Sequence, residues 1–125
     1  MAIPTNGSSA DTDRQHYEEM IGKYLRDCYA SRTAARVSEL ANLLNAPRTY
    51  LSRVIPQIFG KPLRNILRDR QLDEALRLLR LTNLSIEEVA LASAFGTEVT
   101  FHRLFRAAFG MTPAEYRRIC RKTDQ

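Results

Sequence analysis

Two ten-residue stretches, fifty positions apart, carry the same order of apolar and polar residues. Leu51, Val54, Ile55, Ile58 and Phe59 follow the spacing i, i+3, i+4, i+7, i+8, and so do Phe101, Leu104, Phe105, Ala108 and Phe109. That spacing gathers each set on one side of an α-helix, where it can be buried. Thr49, Ser52, Arg53, Pro56 and Gln57 fall on the far side of the first helix, and Val99, His102, Arg103 and Arg106 on that of the second. Each copy stops at a glycine, Gly60 or Gly110, the residue that most readily takes the left-handed backbone just past a helix. The chain therefore holds one helix twice, with an arginine (Arg53, Arg103) at the same place on each polar face.

The other elements arrange themselves around this repeat. Residues 1–13 are rich in Ser, Gly, Thr, Pro and Asp without periodicity, and read as a disordered leader. Asp13 is placed to cap a helix running to about Arg32, with Tyr17, Met20, Ile21, Tyr24, Leu25 and Cys28 along one side. A short helix over Val37–Leu44 buries Val37, Leu40, Ala41 and Leu44, and Asn45-Ala46-Pro47 turns the chain into the first copy. Lys61-Pro62 opens a longer helix to about Leu81, some 30 Å at 1.5 Å per residue. The pattern then restarts. Ser85-Ile86-Glu87-Glu88 is a capping box, and Ile86, Val89, Ala90 and Ser93 repeat the earlier short stripe. Ala94-Phe95-Gly96 makes the second turn, with Thr97 capping the second copy. Thr112-Pro113-Ala114-Glu115 is a further capping box and launches a last helix that carries Tyr116, Ile119 and Cys120 on its apolar side. No stretch alternates as a strand does. The pattern predicts an all-α fold of about seven helices. Two helix-turn-helix units, 14–61 and 82–121, are joined by a connecting helix at 62–81, with a short tail at 122–125.

Composition narrows the class. At 125 residues the chain can bury a core without staples, and no apolar run approaches the roughly 20 residues that span a bilayer. Two cysteines far apart and no export signal make a reduced, cytoplasmic protein the expectation. The net charge is +5, and Arg14 stands alone against Asp11, Asp13, Glu18 and Glu19 in the first twenty residues, so the positive charge lies beyond them. Lysine occurs only at Lys23, Lys61 and Lys122; every other basic residue is arginine, whose planar fork suits phosphates and guanine edges. His102 has no carboxylate or nucleophile placed to work with it, and Glu87-Glu88 belongs to a cap. No phosphate-cradling glycine loop or zinc spacing is present, so the chain reads as a binding protein rather than an enzyme, with no cofactor and no metal.

A tight pair of helices, the second with its polar face outward, is the unit that sets its second helix in a DNA major groove. Two such units on a strut of about 30 Å could meet successive major-groove faces, which recur about every 34 Å, without dimerising. Ser38-Glu39-Leu40-Ala41, Leu51-Ser52-Arg53, Ala75-x-x-Leu78-Leu79 and Ile86-Glu87-Glu88-Val89-Ala90 resemble the AraC/XylS family of bacterial transcription regulators. So does Phe101-x-Arg103-x-Phe105-x-x-x-Phe109-Gly110-x-Thr112-Pro113-x-x-Tyr116-Arg117, long and fixed in spacing. The resemblance spans about Tyr17 to Arg118 and implies two units in adjacent major grooves of double-stranded promoter DNA, in a monomer or weak homodimer. With no effector or dimerisation domain beside it, the chain is similar to the short stand-alone activators of the family.

By that resemblance Thr49, Ser52 and Arg53 face base edges from the first reading helix, with Arg48 and Gln57 nearer the backbone. Val99, Thr100 and Arg103 do so from the second, flanked by Glu98, His102 and Arg106. Arginine can fork onto guanine, Ser or Thr can donate or accept, and Val can touch a thymine methyl. Four residues depart from the family pattern. Pro56 lacks a helical N–H and is expected to kink or shorten the first reading helix, at about 3 kcal/mol. Ala94 stands where a turn glycine is usual, Gln71 replaces a common arginine, and Ile55 replaces a common Phe. Pro56 and the anionic Glu98 leave an alternative open: a degenerate module that docks RNA polymerase or another regulator. The aromatic residues Phe101, Phe105, Phe109 and Tyr116 are expected in the core, which disfavours RNA.

Overall fold

The computed structural model describes residues 6–123, and every regular element among them is a helix. They are α1 (Asn6–Ser31), α2 (Val37–Leu43), α3 (Arg48–Phe59), α4 (Leu63–Leu81), α5 (Ile86–Ala92), α6 (Glu98–Phe109) and α7 (Pro113–Thr123). The helix expected to begin at Asp13 begins at Asn6, which corrects the leader assignment for 6–13; residues 1–5 of it lie outside the described residues. Polar composition alone does not stop a helix, because propagation from a nucleated segment fixes one residue per hydrogen bond gained. At the other end α7 takes in Lys122 and Thr123, so the expected tail keeps only 124–125, outside the described residues.

Two cores form, and α4 serves both. Ile21, Tyr24, Leu25 and Cys28 of α1 pack with Leu40 and Ala41 of α2, Leu51 and Ile55 of α3, and Leu63, Ile66 and Leu67 from the first half of α4. Leu72, Ala75, Leu78 and Leu79 from its second half pack with Val89 and Ala90 of α5, Phe95, and Phe101 and Phe105 of α6. The second core is aromatic: Phe101 meets Phe95 at 5.1 Å and Phe105 at 5.6 Å between ring centroids, and Phe105 meets Tyr116 at 5.9 Å. Phe109, expected in the core, is 37% exposed and lies against Phe105 at the rim. Ala108 and Ile119 are exposed as well. A helical stripe fixes which side faces the neighbours, not how far along the helix those neighbours reach. Cys120, beside Ile119, is half-buried.

The ends of the helices follow the local chemistry. The Ser85 hydroxyl accepts from the Glu88 N–H at 3.1 Å, and the Glu88 carboxylate accepts from the Ser85 N–H at 3.0 Å. Thr112 and Glu115 make the same reciprocal pair. Gly60 and Gly110 close the repeated helices at φ 78° and 73°. The two turns match too: Asn45 and Ala94 each take a left-handed backbone, at φ 54° and 66°. Asn tolerates that region, whereas Ala is strained there by roughly 1–2 kcal/mol.

Candidate nucleic-acid interface

Both repeated helices turn their polar faces to solvent. Arg48, Thr49, Ser52, Arg53 and Gln57 are exposed on α3, and Glu98, Val99, His102, Arg103 and Arg106 on α6. Val99 is 78% exposed, free to offer its methyl groups to whatever meets this face. Thr100 stands apart, half-buried, its hydroxyl accepting from that of the N-cap Thr97 at 3.0 Å. Glu98, Val99, His102 and Arg103 line one open groove on the outer side of α6.

The expected damage from Pro56 is not seen. Helix α3 runs through it to Phe59, the Gly60 N–H reaches the Pro56 carbonyl at 2.8 Å, and Gln57 keeps its outward position. Pro56 and Ser52 border an open groove, and the proline leaves the Ser52 carbonyl without its helical donor. The Ser52 hydroxyl donates back to the Thr49 carbonyl at 2.9 Å.

Residues of the polar faces of α3 and α6 border two grooves that share Arg64. Arg48 and Ser52 of α3 share a groove with Arg64 of α4, and Arg64 also lines the next groove, about 230 Å³, with Thr100 and Arg103 of α6. One α4 residue thus borders grooves lined by residues of both helices. Arg48, Arg53, Arg64, Arg68 and Arg103 form no ion pair among the described residues, where the ion pairs are Arg14–Glu18, Lys61–Asp69 and Arg77–Glu74. Arg106 is different, since its charge helps, after the Thr112 hydrogen bonds, to hold the Glu115 carboxyl below its ordinary range.

A model of a helix-turn-helix domain matches residues 40–119, from within α2 to within α7, and so takes in both repeated helices and the connecting helix. The chain belongs to the AraC family of transcription regulators. Among its relatives, "Probable transcription factor PqrA" of Proteus vulgaris is 30% identical over 78% of this chain and 80% of its own length. "HTH-type transcriptional activator AarP" of Providencia stuartii is 32% identical over 65% of this chain, which spans 60% of that relative's length. The DNA-binding domain of AdpA, solved in complex with a target DNA, superposes with a TM-score of 0.76 at 25% identity, over 86% of this chain and 94% of that one.

Within the AraC-type frame, some basic residues prove structural. Arg117, part of the signature stretch, donates to the carbonyls of Leu79, Leu84 and Thr82, tying α7 to the end of α4. Partial burial, with Arg121 nearby, lowers its guanidinium below the usual value. Arg14 donates to the Ile58 carbonyl at 2.9 Å and lies over the Phe59 ring, so α1 caps the end of α3. Periodicity cannot signal either contact, because each joins residues far apart in sequence. The place of Arg64 and Arg68 in grooves lined by α3 and α6 is beyond periodicity for the same reason.

Proposed function

We propose that this chain regulates transcription, as an activator, by reading two adjacent major grooves of promoter DNA with α3 and α6. Thr49, Ser52 and Arg53 address base edges in one groove, and Val99, Thr100 and Arg103 in the other. Arg48, Gln57, His102 and Arg106 flank them on the backbone. Glu98, at the first turn of α6, completes the second set as an acceptor for a cytosine amine. The observation that carries this reading is the placement of both polar faces beside the same residue, Arg64. Helix α4 spans about 28 Å at 1.5 Å per residue, close to the roughly 34 Å between successive major-groove faces. Unpaired arginines at that surface supply the phosphate attraction that any such complex needs.

The alternative, a docking module that has lost DNA, loses its main support because Pro56 leaves α3 continuous. Mobility shift on random duplex between 50 and 200 mM salt tests the proposal. A chain making 6–10 phosphate contacts weakens about 10³–10⁵-fold over that range. Salt-independent or absent binding contradicts it.

A further inference from the structure

Between two major grooves read from one side of a duplex lies a minor groove bounded by two phosphodiester strands. Whatever joins the two reading helices must pass over that backbone. Here the joining element is α4, and the residues it presents there are Arg64 and Arg68, four apart and so on one face of the helix. Both are exposed. Arg64 lines the groove beside Arg48 and Ser52, and both line the groove beside Thr100 and Arg103.

The cluster is uncompensated. Among the described residues no Asp or Glu lines either groove, and the nearest acid along α4, Asp69, is held by the Lys61 ammonium at 2.6 Å. Two like charges at i, i+4 repel each other, and Arg48 and Arg103 add to that field. The positive end of the α4 dipole, at Leu63, adds further. Such a site is completed by an anion with several spaced charges, and a DNA strand is one.

We propose that Arg64 and Arg68 bind the phosphates of the DNA strand lying between the two major grooves, a contact that sets register without reading sequence. The site rests on the DNA-binding reading above. Its role differs from that of Arg53 and Arg103, which face base edges in that reading.

The test uses the full chain and two duplexes, one of the sequence that wild type selects from a random pool and one of random sequence. Affinity is measured against salt for wild type, Arg64→Ala/Arg68→Ala and Arg103→Ala, with helicity checked by circular dichroism. The double variant should lower the slope of log K against log salt by about 1.8, at about 0.9 per phosphate lost, on both duplexes alike. Its ratio of specific to random affinity should stay that of wild type, whereas Arg103→Ala should lose that ratio. Neutral methylphosphonates placed between the two half-sites should weaken wild type and leave the double variant unaffected. An unchanged slope in the double variant, or a changed ratio, overturns the phosphate site while DNA binding stands. A wild type without salt-dependent binding overturns both readings.

Discussion

The side-chain amide of Gln71 donates to the main-chain carbonyl of Ala94 at 2.8 Å, joining the connecting helix to the turn of the second helix-turn-helix unit. The same carbonyl accepts the N–H of Ala35, from the α1–α2 loop, at 3.0 Å. Gly96 comes so close to this loop that an added Cβ would sit 3.0 Å from that of Ala34. The second turn is therefore wedged against the first unit, and Ala94 packs into the first core. The arrangement fixes where α6 points relative to α3.

Replacing Gln71 by Leu should cost about 1 kcal/mol, the net worth of a hydrogen bond whose acceptor keeps a second donor. In DNA binding the loss should be larger for a two-part site than for either half alone, because what is loosened is the relation between the units. Denaturant melts and affinities for whole and half sites check both statements. Equal losses on all three duplexes would assign Gln71 to stability alone.

Ala94 shows two effects of similar size in opposition. Its φ of 66° strains an L-residue by roughly 1–2 kcal/mol, which Gly would relieve. Its methyl group is 1% exposed, and losing a buried carbon gives up about 0.8 kcal/mol before any cavity is counted. The substitution Ala94→Gly should therefore change stability by less than about 1 kcal/mol in either direction. At Gly110, where an added Cβ would meet nothing within 4 Å and φ is 73°, only strain remains, so Gly110→Ala should destabilise by about 1 kcal/mol. Thermal melts of the two variants separate these cases.

The capping boxes give the protein an acid-sensitive edge. Hydrogen bonds from Ser85 and Thr112 hold the carboxyls of Glu88 and Glu115 below their ordinary values. A carboxyl that binds its proton less tightly in the folded state stabilises that state above the unfolded pKa of about 4.3. The contribution disappears as pH falls through the folded value. The advantage of wild type over Glu88→Gln and Glu115→Gln should be present at pH 7 and shrink in acid, with both carboxyls titrating low by NMR. A difference that persists unchanged at about pH 2 would contradict this.

Much of the fold is legible in the sequence. The helical stripes, both capping boxes and both closing glycines are local, each written within about a dozen residues, and the duplication shows as a repeat of such local patterns. What the sequence does not carry is of two kinds. Phe109, Ala108 and Ile119 sit on the right stripes yet are exposed, since a stripe does not say how much of it a neighbour covers. Gln71 with Ala94, Arg14 with Ile58, and Arg64 in grooves lined by both α3 and α6 are relations across the chain, carried by no spacing rule. Pro56 lies in the last turn of α3, and the helix runs on through it to Phe59 where the sequence predicts a kink or an early end.

The central claim is that two like faces read two like grooves, one through Arg53 and one through Arg103. Selection of bound sequences from a random duplex pool, run with wild type, Arg53→Ala and Arg103→Ala, tests it most directly. Wild type should recover two conserved boxes about 10 base pairs apart, one helical turn. Each variant should blur one box, a different one in each case, with a loss of roughly 1–3 kcal/mol of discrimination there. Recovery of a single box, or of two boxes that neither substitution alters, would contradict the account.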